Sequence, residues 1–298
     1  MPLAQLRYFN EVVRTGSIRE AAERLNVAPS AISRQIRNLE EEFGLPLFER
    51  HARGVVPTSA GELYARYARA ALLDQERILS EIDDLKGLRR GHVRISSVEG
   101  VVANGLTHAL AAFRQRFAGV SFSLSIMGAE LVVAAVRNGE TDIGISFTSN
   151  PEPGVRYAAR IRDPLCAIMA PDYPLARHRR IAFGDTLAYP LAVPPKSFGI
   201  RTLLDARCRS ARLAMHPALE TNSIEAMRGF ARTGSGITFL PRLTVRREIR
   251  EGLAVAVPLT DRDLQQATVD LCVLEGRRLP GAVEGFLNHL RQVLPTLR

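Results

Sequence analysis

Cysteine is scarce in this chain of 298 residues: Cys166, Cys208 and Cys272 are odd in number and lie far apart. None belongs to a Cys-x-x-Cys or Cys/His spacing, which argues against zinc and against a redox pair, and reduced buried thiols are the expectation. Lysine is nearly missing, Lys86 and Lys196 being the two exceptions among 40 basic residues. No run of about 18 apolar residues occurs, so no membrane partner is expected. No charged leader precedes an apolar stretch, and the chain is expected in the cytoplasm. Signatures of catalysis are also lacking. The six histidines are scattered, there is no G-x-S-x-G elbow or P-loop, and "TGSGI" at 233–237 is too short for a dinucleotide fingerprint. No metal, cofactor or enzymatic activity is expected.

What is present is an ordinary globular composition, 46% hydrophobic and 24% charged, in a chain long enough for two domains or more. A net charge of +9 suggests nucleic acid, but residues 1–90 hold 14 basic and 13 acidic side chains, so almost all of the excess lies beyond them. Bulk charge therefore locates no DNA-binding face, and local pattern must do so.

The local pattern is clearest from Val27 to Gly44, "VAPSAISRQIRNLEEEFG". At 3.6 residues per turn Ile32, Ile36, Leu39 and Phe43 form an apolar stripe, while Ser30, Ser33, Arg34 and Arg37 share the opposite, positive face. Glu40, Glu41 and Glu42 read as a solvated face that keeps the far end away from phosphates. Before it, Leu6, Phe9, Val12 and Val13 stripe a first helix, Ser17 caps a second at Ile18–Leu25, and Ala21 and Ala22 leave room for a close crossing. Pro29 and Ser30 suit the first turn of the third helix. Two short helices joined by the tight turn "NVAPS" make a helix-turn-helix. "GLPLFERHARGVVPTSAG" then reads as a strand, an arginine hairpin with Arg50, Arg53 and Gly54, and a second strand, which together form a wing capped off at Thr58 or Ser59.

From Ala60 to about Leu88 a single helix is predicted, with apolar Leu63, Tyr67, Leu72, Ile78, Ile82 and Leu85. A helix of this length needs a partner for its stripe; Ile78, Ile82 and Leu85, spaced four then three, are the expected dimer seam. "GLRRGH" at 87–92 marks the domain boundary. Beyond it, strands ("HVRISSV", "VSFSLSIM", "TDIGISF") alternate with helices near 106–117 and 129–138, predicting an α/β domain with a mostly parallel sheet. A second run holds "LCAIMA", "YPLAVPP", "ITFLP" and "LAVAVPL". A last strand at 267–274 and helix at 282–294 are expected to return to the first subdomain.

Over nearly its full length the chain resembles a LysR-type transcriptional regulator. The resemblance rests on "LRYFNEVVRTGSIREAAERLNVAPSAISRQIRNLEEEFGLPLFER", "RGVVPTSAG", "DIGIS" and "GSGITFLP". It implies an α+β multidomain chain: a winged helix-turn-helix at 1–58, a long dimerising linker helix at 59–90 and a two-lobed α/β effector domain at 91–298 similar to type 2 periplasmic binding proteins. Lobe I would hold 91–163 and 266–298, lobe II 164–265. Expected partners are double-stranded DNA at a pseudo-palindromic operator, RNA polymerase, further copies in a dimer or tetramer, and a small-molecule effector. Pro29 stands where the family often has a base-reading glutamine, so that contact is either lost or moved to Ser30. The family's ligand-facing positions fall on Ser97, Glu99, Gly100, Gly128 and Ala129 on one lobe and on Lys196, Ser197, Phe198, Thr221 and Asn222 on the other. Lys196 and Ser197 suit a carboxylate, and Glu99, which repels one, keeps a zwitterion open. The rival readings are a small-molecule binding protein or an α/β enzyme without DNA function.

Overall fold

The computed structural model describes residues 3–51, 54–85, 90–147 and 151–297. The chain divides into two compact units, Met1–Ile82 and Asp83–Arg298.

The first unit contains α1 (Leu3–Thr15), α2 (Ile18–Leu25), α3 (Pro29–Phe43), β1 (Phe48–His51), β2 (Gly54–Pro57) and most of α4 (Ser59–Leu85). Local chemistry sets its boundaries. Ser17 accepts from the Glu20 amide at 3.3 Å at the start of α2, Asn26 ends it in a left-handed turn, and Pro29 opens α3. Thr58 rather than Ser59 caps α4, accepting from the Gly61 amide at 3.0 Å. Phe9, fully buried, contacts Phe48 and Tyr64 at ring distances of 4.8 and 4.6 Å, and Ala21 and Ala22 are buried beside Ile32, Ile36 and Leu39. Two expectations fail. Phe43 is 43% exposed, touching Tyr64 from outside the core. Glu40 is no solvated charge: its Oε1 accepts from the amides of Leu47 and Phe48, at 2.8 and 3.2 Å, and so anchors the entry to the wing. The wing is held at its other strand as well, where the Val55 amide donates to Gly16 O at 2.8 Å. A Cβ on Gly54 would lie 2.3 Å from that same oxygen, so the close approach requires glycine.

The second unit runs β3 (Gly91–Ser97), α5 (Glu99–Val101), a π-helical turn, α6 (Thr107–Arg116), β4 (Val120–Ile126), α7 (Ala129–Arg137), β5 (Ile143–Phe147) and β6 (Val155–Arg162). It continues through β7 (Leu165–Met169), α8 (Phe183–Thr186), β8 (Leu191–Val193), α9 (Gly199–Ala211), β9 (Leu219–Glu220), α10 (Ile224–Arg232), β10 (Ile237–Pro241), α11 (Arg246–Arg250), β11 (Val255–Pro258), β12 (Thr268–Leu274) and α12 (Gly281–Val293). One sheet has the order β4-β3-β5-β12-β6, the other β11-β7-β10-β8-β9. Both are mixed rather than mostly parallel: β12 runs antiparallel to β5 and β6, and β7 antiparallel to β10 and β11. The last strand thus returns to the first sheet. The chain passes between the sheets twice, and the two passages meet where the Asp163 amide donates to Ala267 O at 2.9 Å. The helix expected near 106–117 starts earlier: α5 begins directly after β3, and the π-helical turn at Val102–Leu106 carries it into α6. Gly100 and Gly105 conceal that helix in the sequence because glycine lowers helix propensity.

A buried carboxylate fixes the first sheet. Asp142, 2% exposed, is bound by Arg94 at 2.9 Å and by Arg277 at 2.7 Å. Burial pushes its pKa up, but the Arg94 hydrogen bond and the charges of Arg94 and Arg277 override this and hold it below the usual value.

Candidate functional site

In the first unit the outer face of α3 carries Pro29, Ser30, Arg34 and Arg37, all exposed, with Ser33 partly covered between them. The charge on this face is uncompensated. Arg14 pairs with Glu11, Arg19 with Glu23 at 3.2 Å and Arg24 with Glu20 at 2.8 Å, whereas Arg34 and Arg37 have no ion pair among the described residues. Arg50 is exposed on β1; Arg53 lies outside the described residues. Farther along α4, Ile78 and Ile82 are 41% and 42% exposed, with Leu79, which pattern reading passed over, at 55%. Of Leu85 the side chain lies outside those described.

In the second unit a narrow cavity of about 40 Å³ opens between the two sheets and their helices. Glu99, Gly100, Gly128, Ala129 and Phe198 line it, five of the ten residues expected there. Ser197 and Asn222 lie farther out, on a larger second cavity of about 330 Å³ that shares Glu99, Gly128 and Phe198. Three expectations need correction. Ser97 is fully buried and donates its hydroxyl to Val98 O at 3.0 Å, so it turns away from the cleft. Thr221 accepts from the Ser223 amide at 3.2 Å and shapes the loop before α10. Lys196 is exposed and lines neither cavity, because the turn before α9 carries it outward.

The remaining lining was not legible in the sequence. Phe147 ends β5, Ile224 opens α10, Thr244 sits on the 3-10 turn after β10, and Asp163 marks one passage between the sheets. Distant segments converge here, and no local period announces them. The lobes meet tightly: a Cβ on Gly199 would lie 2.7 Å from Phe147 O, and one on Gly100 3.2 Å from the Thr244 hydroxyl. Glu99 crosses the cleft, its Oε2 accepting from the Ile224 amide at 3.1 Å.

Among the described residues no three His, Cys, Asp or Glu side chains gather as a metal site. The cysteines are free; burial, reinforced by Asp163, raises Cys166 to about 11 and leaves it a protonated thiol at neutral pH. No helix among the described residues is long and apolar enough to cross a membrane.

An outward basic helix with a wing, and a separate two-sheet unit with an apolar cleft, correspond to two known domains. The bacterial regulatory helix-turn-helix of the lysR family matches residues 3–62, and the LysR substrate binding domain matches residues 86–295. The chain belongs to the LysR family. The RuBisCO operon transcriptional regulator of Allochromatium vinosum is 30% identical over 250 residues, covering 83% of this chain and 82% of its own. A full-length OxyR variant from Pseudomonas aeruginosa superimposes with a TM-score of 0.76 at 20% identity, covering 98% of this chain and 95% of that one. The effector binding domain of QuiR in complex with shikimate does so at 0.59 and 16% identity, over 70% of this chain and 98% of its own. As a LysR-type member the chain is a DNA-binding transcriptional regulator with a small-molecule effector domain, and not an enzyme.

Proposed function

We propose that this LysR-type regulator lays α3 in the major groove, with Arg34 and Arg37 gripping guanine edges or phosphates and Pro29, Ser30 and Ser33 seating the helix against them. The wing, through Arg50 and Arg53, follows the adjacent backbone. Residues 1–58 act as the DNA-binding part, 59–90 join two copies along Ile78, Ile82 and Leu85, and 91–298 bind the effector. Two-fold pairing makes the operator pseudo-palindromic, a second pairing makes a tetramer, and a small molecule between lobes 91–163 with 266–298 and 164–265 changes the spacing of the paired DNA-binding units and their meeting with RNA polymerase in the cytoplasm.

The observation that carries this reading is the charge of Arg34 and Arg37, without an ion pair among the described residues, on an outer helix face beside α2, both of whose arginines are paired. For the effector, the outer cavity of about 330 Å³, a volume suited to a small molecule, and the QuiR effector domain solved in complex with shikimate support a small molecule in this cleft. The carboxylate expected on Lys196 and Ser197 finds neither group on the inner cavity. Footprinting of the full chain on fragments of its own genome tests the DNA reading. The expected result is protection of a dyad with half-sites whole helical turns apart; retention of no fragment above random sequence overturns it.

A further inference from the structure

The cleft is occupied at one end by the protein's own carboxylate. Glu99 opens α5 in lobe I, and its Oε2 reaches across to the Ile224 amide, the first N–H of α10 in lobe II. That helix end has a second cap, the Ser223 hydroxyl, which accepts from the Ala226 amide at 3.2 Å. Helix N-termini present unpaired N–H groups and a partial positive charge, the natural seat for an anion. Here a side chain 125 residues away in sequence already fills it.

The rest of the lining carries no compensating charge. Glu99 and Asp163 are the charged side chains among the described residues of the inner cavity, and Glu99 and Glu130 those of the outer one. The nearby cation of α10, Arg228, is engaged by Glu225, by Glu248 at 3.2 Å and by the Thr244 carbonyl at 3.3 Å. An incoming carboxylate therefore meets Glu99 from either cavity, no arginine or lysine among the described lining residues of the two, and a helix end whose first N–H is taken.

Resting on the interlobe cavity as the effector site, the geometry points to Glu99 as the residue that decides effector charge. It acts as a tethered anion that bridges the lobes, so that the cleft admits neutral or amine-bearing, largely apolar small molecules and turns carboxylates away. An ammonium group meets the Glu99 carboxylate, and an apolar body rests on Phe198 and Met127.

Benzylamine and benzoate, of matched shape and opposite charge, are suitable probes for calorimetric titration of the full chain, its Glu99→Ala and Glu99→Gln variants, and Glu130→Ala as a control for bulk charge. Wild type should bind benzylamine more tightly than benzoate. Glu99→Ala should reverse that order, benzoate gaining about tenfold or more, the factor that one charge-assisted hydrogen bond carries. Glu99→Gln, which keeps an acceptor for Ile224, should lose the preference without gaining an anion site. Benzoate bound by wild type as well as benzylamine, an equal gain in Glu130→Ala, or no difference among the four proteins, absence of all binding included, overturns the assignment. Operator retention by the same four proteins is read in parallel. Its loss in all of them counts against the regulator reading, whereas its persistence with an unaltered probe order counts against Glu99 alone.

Discussion

At the scale of single residues, charge is compensated almost everywhere that it is buried and left open where a partner is expected. Arg34 and Arg37 belong to the second group, and Arg34→Ala should cost about 1–3 kcal/mol of specific binding if the guanidinium reads a base. If it meets phosphate instead, binding to all sequences should weaken alike and the salt slope should fall by about one. Titrations at several salt concentrations separate the two, and unchanged binding throughout removes Arg34 from the interface. Asp142 belongs to the first group. Its folded pKa lies below the unfolded one, so its stabilisation is present above about pH 4 and is lost as pH falls through the folded value. Asp142→Ala should take a shared buried carboxylate from two arginines and destabilise the second unit by about 3 kcal/mol, toward the low end of such losses because Arg94 is 30% exposed and can turn to water. Urea unfolding at pH 7 measures the loss, and the variant should show a flatter decline in stability toward pH 3 than the parent.

At the scale of elements, α4 is the one whose sequence and surroundings disagree. Its first turns are buried through Tyr64, Ala65 and Ala68, but Ile78, Leu79 and Ile82 face outward on a helix of 27 residues, about 40 Å long. Such a stripe is the face that the proposed second copy would cover. Ile82→Asp should turn the oligomer into monomers in sedimentation velocity and weaken operator binding by the lost avidity of a linked pair. A parental sedimentation coefficient would move the seam away from this stretch. The π-helical turn between α5 and α6 matters in another way: it lets the helix begin at Glu99, immediately after β3, and so brings that carboxylate to the cleft.

At the scale of the whole molecule, two lobes joined by two passages of chain enclose a small cavity, and the fit between them is set by backbone. Gly199 starts α9 within a distance of Phe147 O that no side chain tolerates. Gly199→Ala should prise the lobes apart at that contact and, as overpacking does, destabilise the second unit by about 1–3 kcal/mol. Urea unfolding measures this; parental stability would mean that the lobes do not close on Phe147 in solution.

Period and capping residues determined the helices of the first unit: Ser17, the paired alanines and Pro29 act within a few residues of themselves, so their effects are written locally. The alternation of strands and helices likewise announced an α/β unit. What tertiary structure decided are the pairings across long separations. Glu40 turned inward because two wing amides needed an acceptor, Arg277 reached Asp142 across 135 residues, and β12 entered the first sheet antiparallel. The cleft follows the same rule. Gly128, Ala129 and Phe198 sit at element ends where pattern finds them, but Phe147, Asp163, Ile224 and Thr244 meet them only once both sheets have formed. Glu99, which by its charge alone appeared merely to repel an acid, was directed to the end of α10 by the packing of one lobe on the other. Solvation and periodicity act on neighbours along the chain, whereas a buried hydrogen bond selects whichever group the fold has brought within 3 Å.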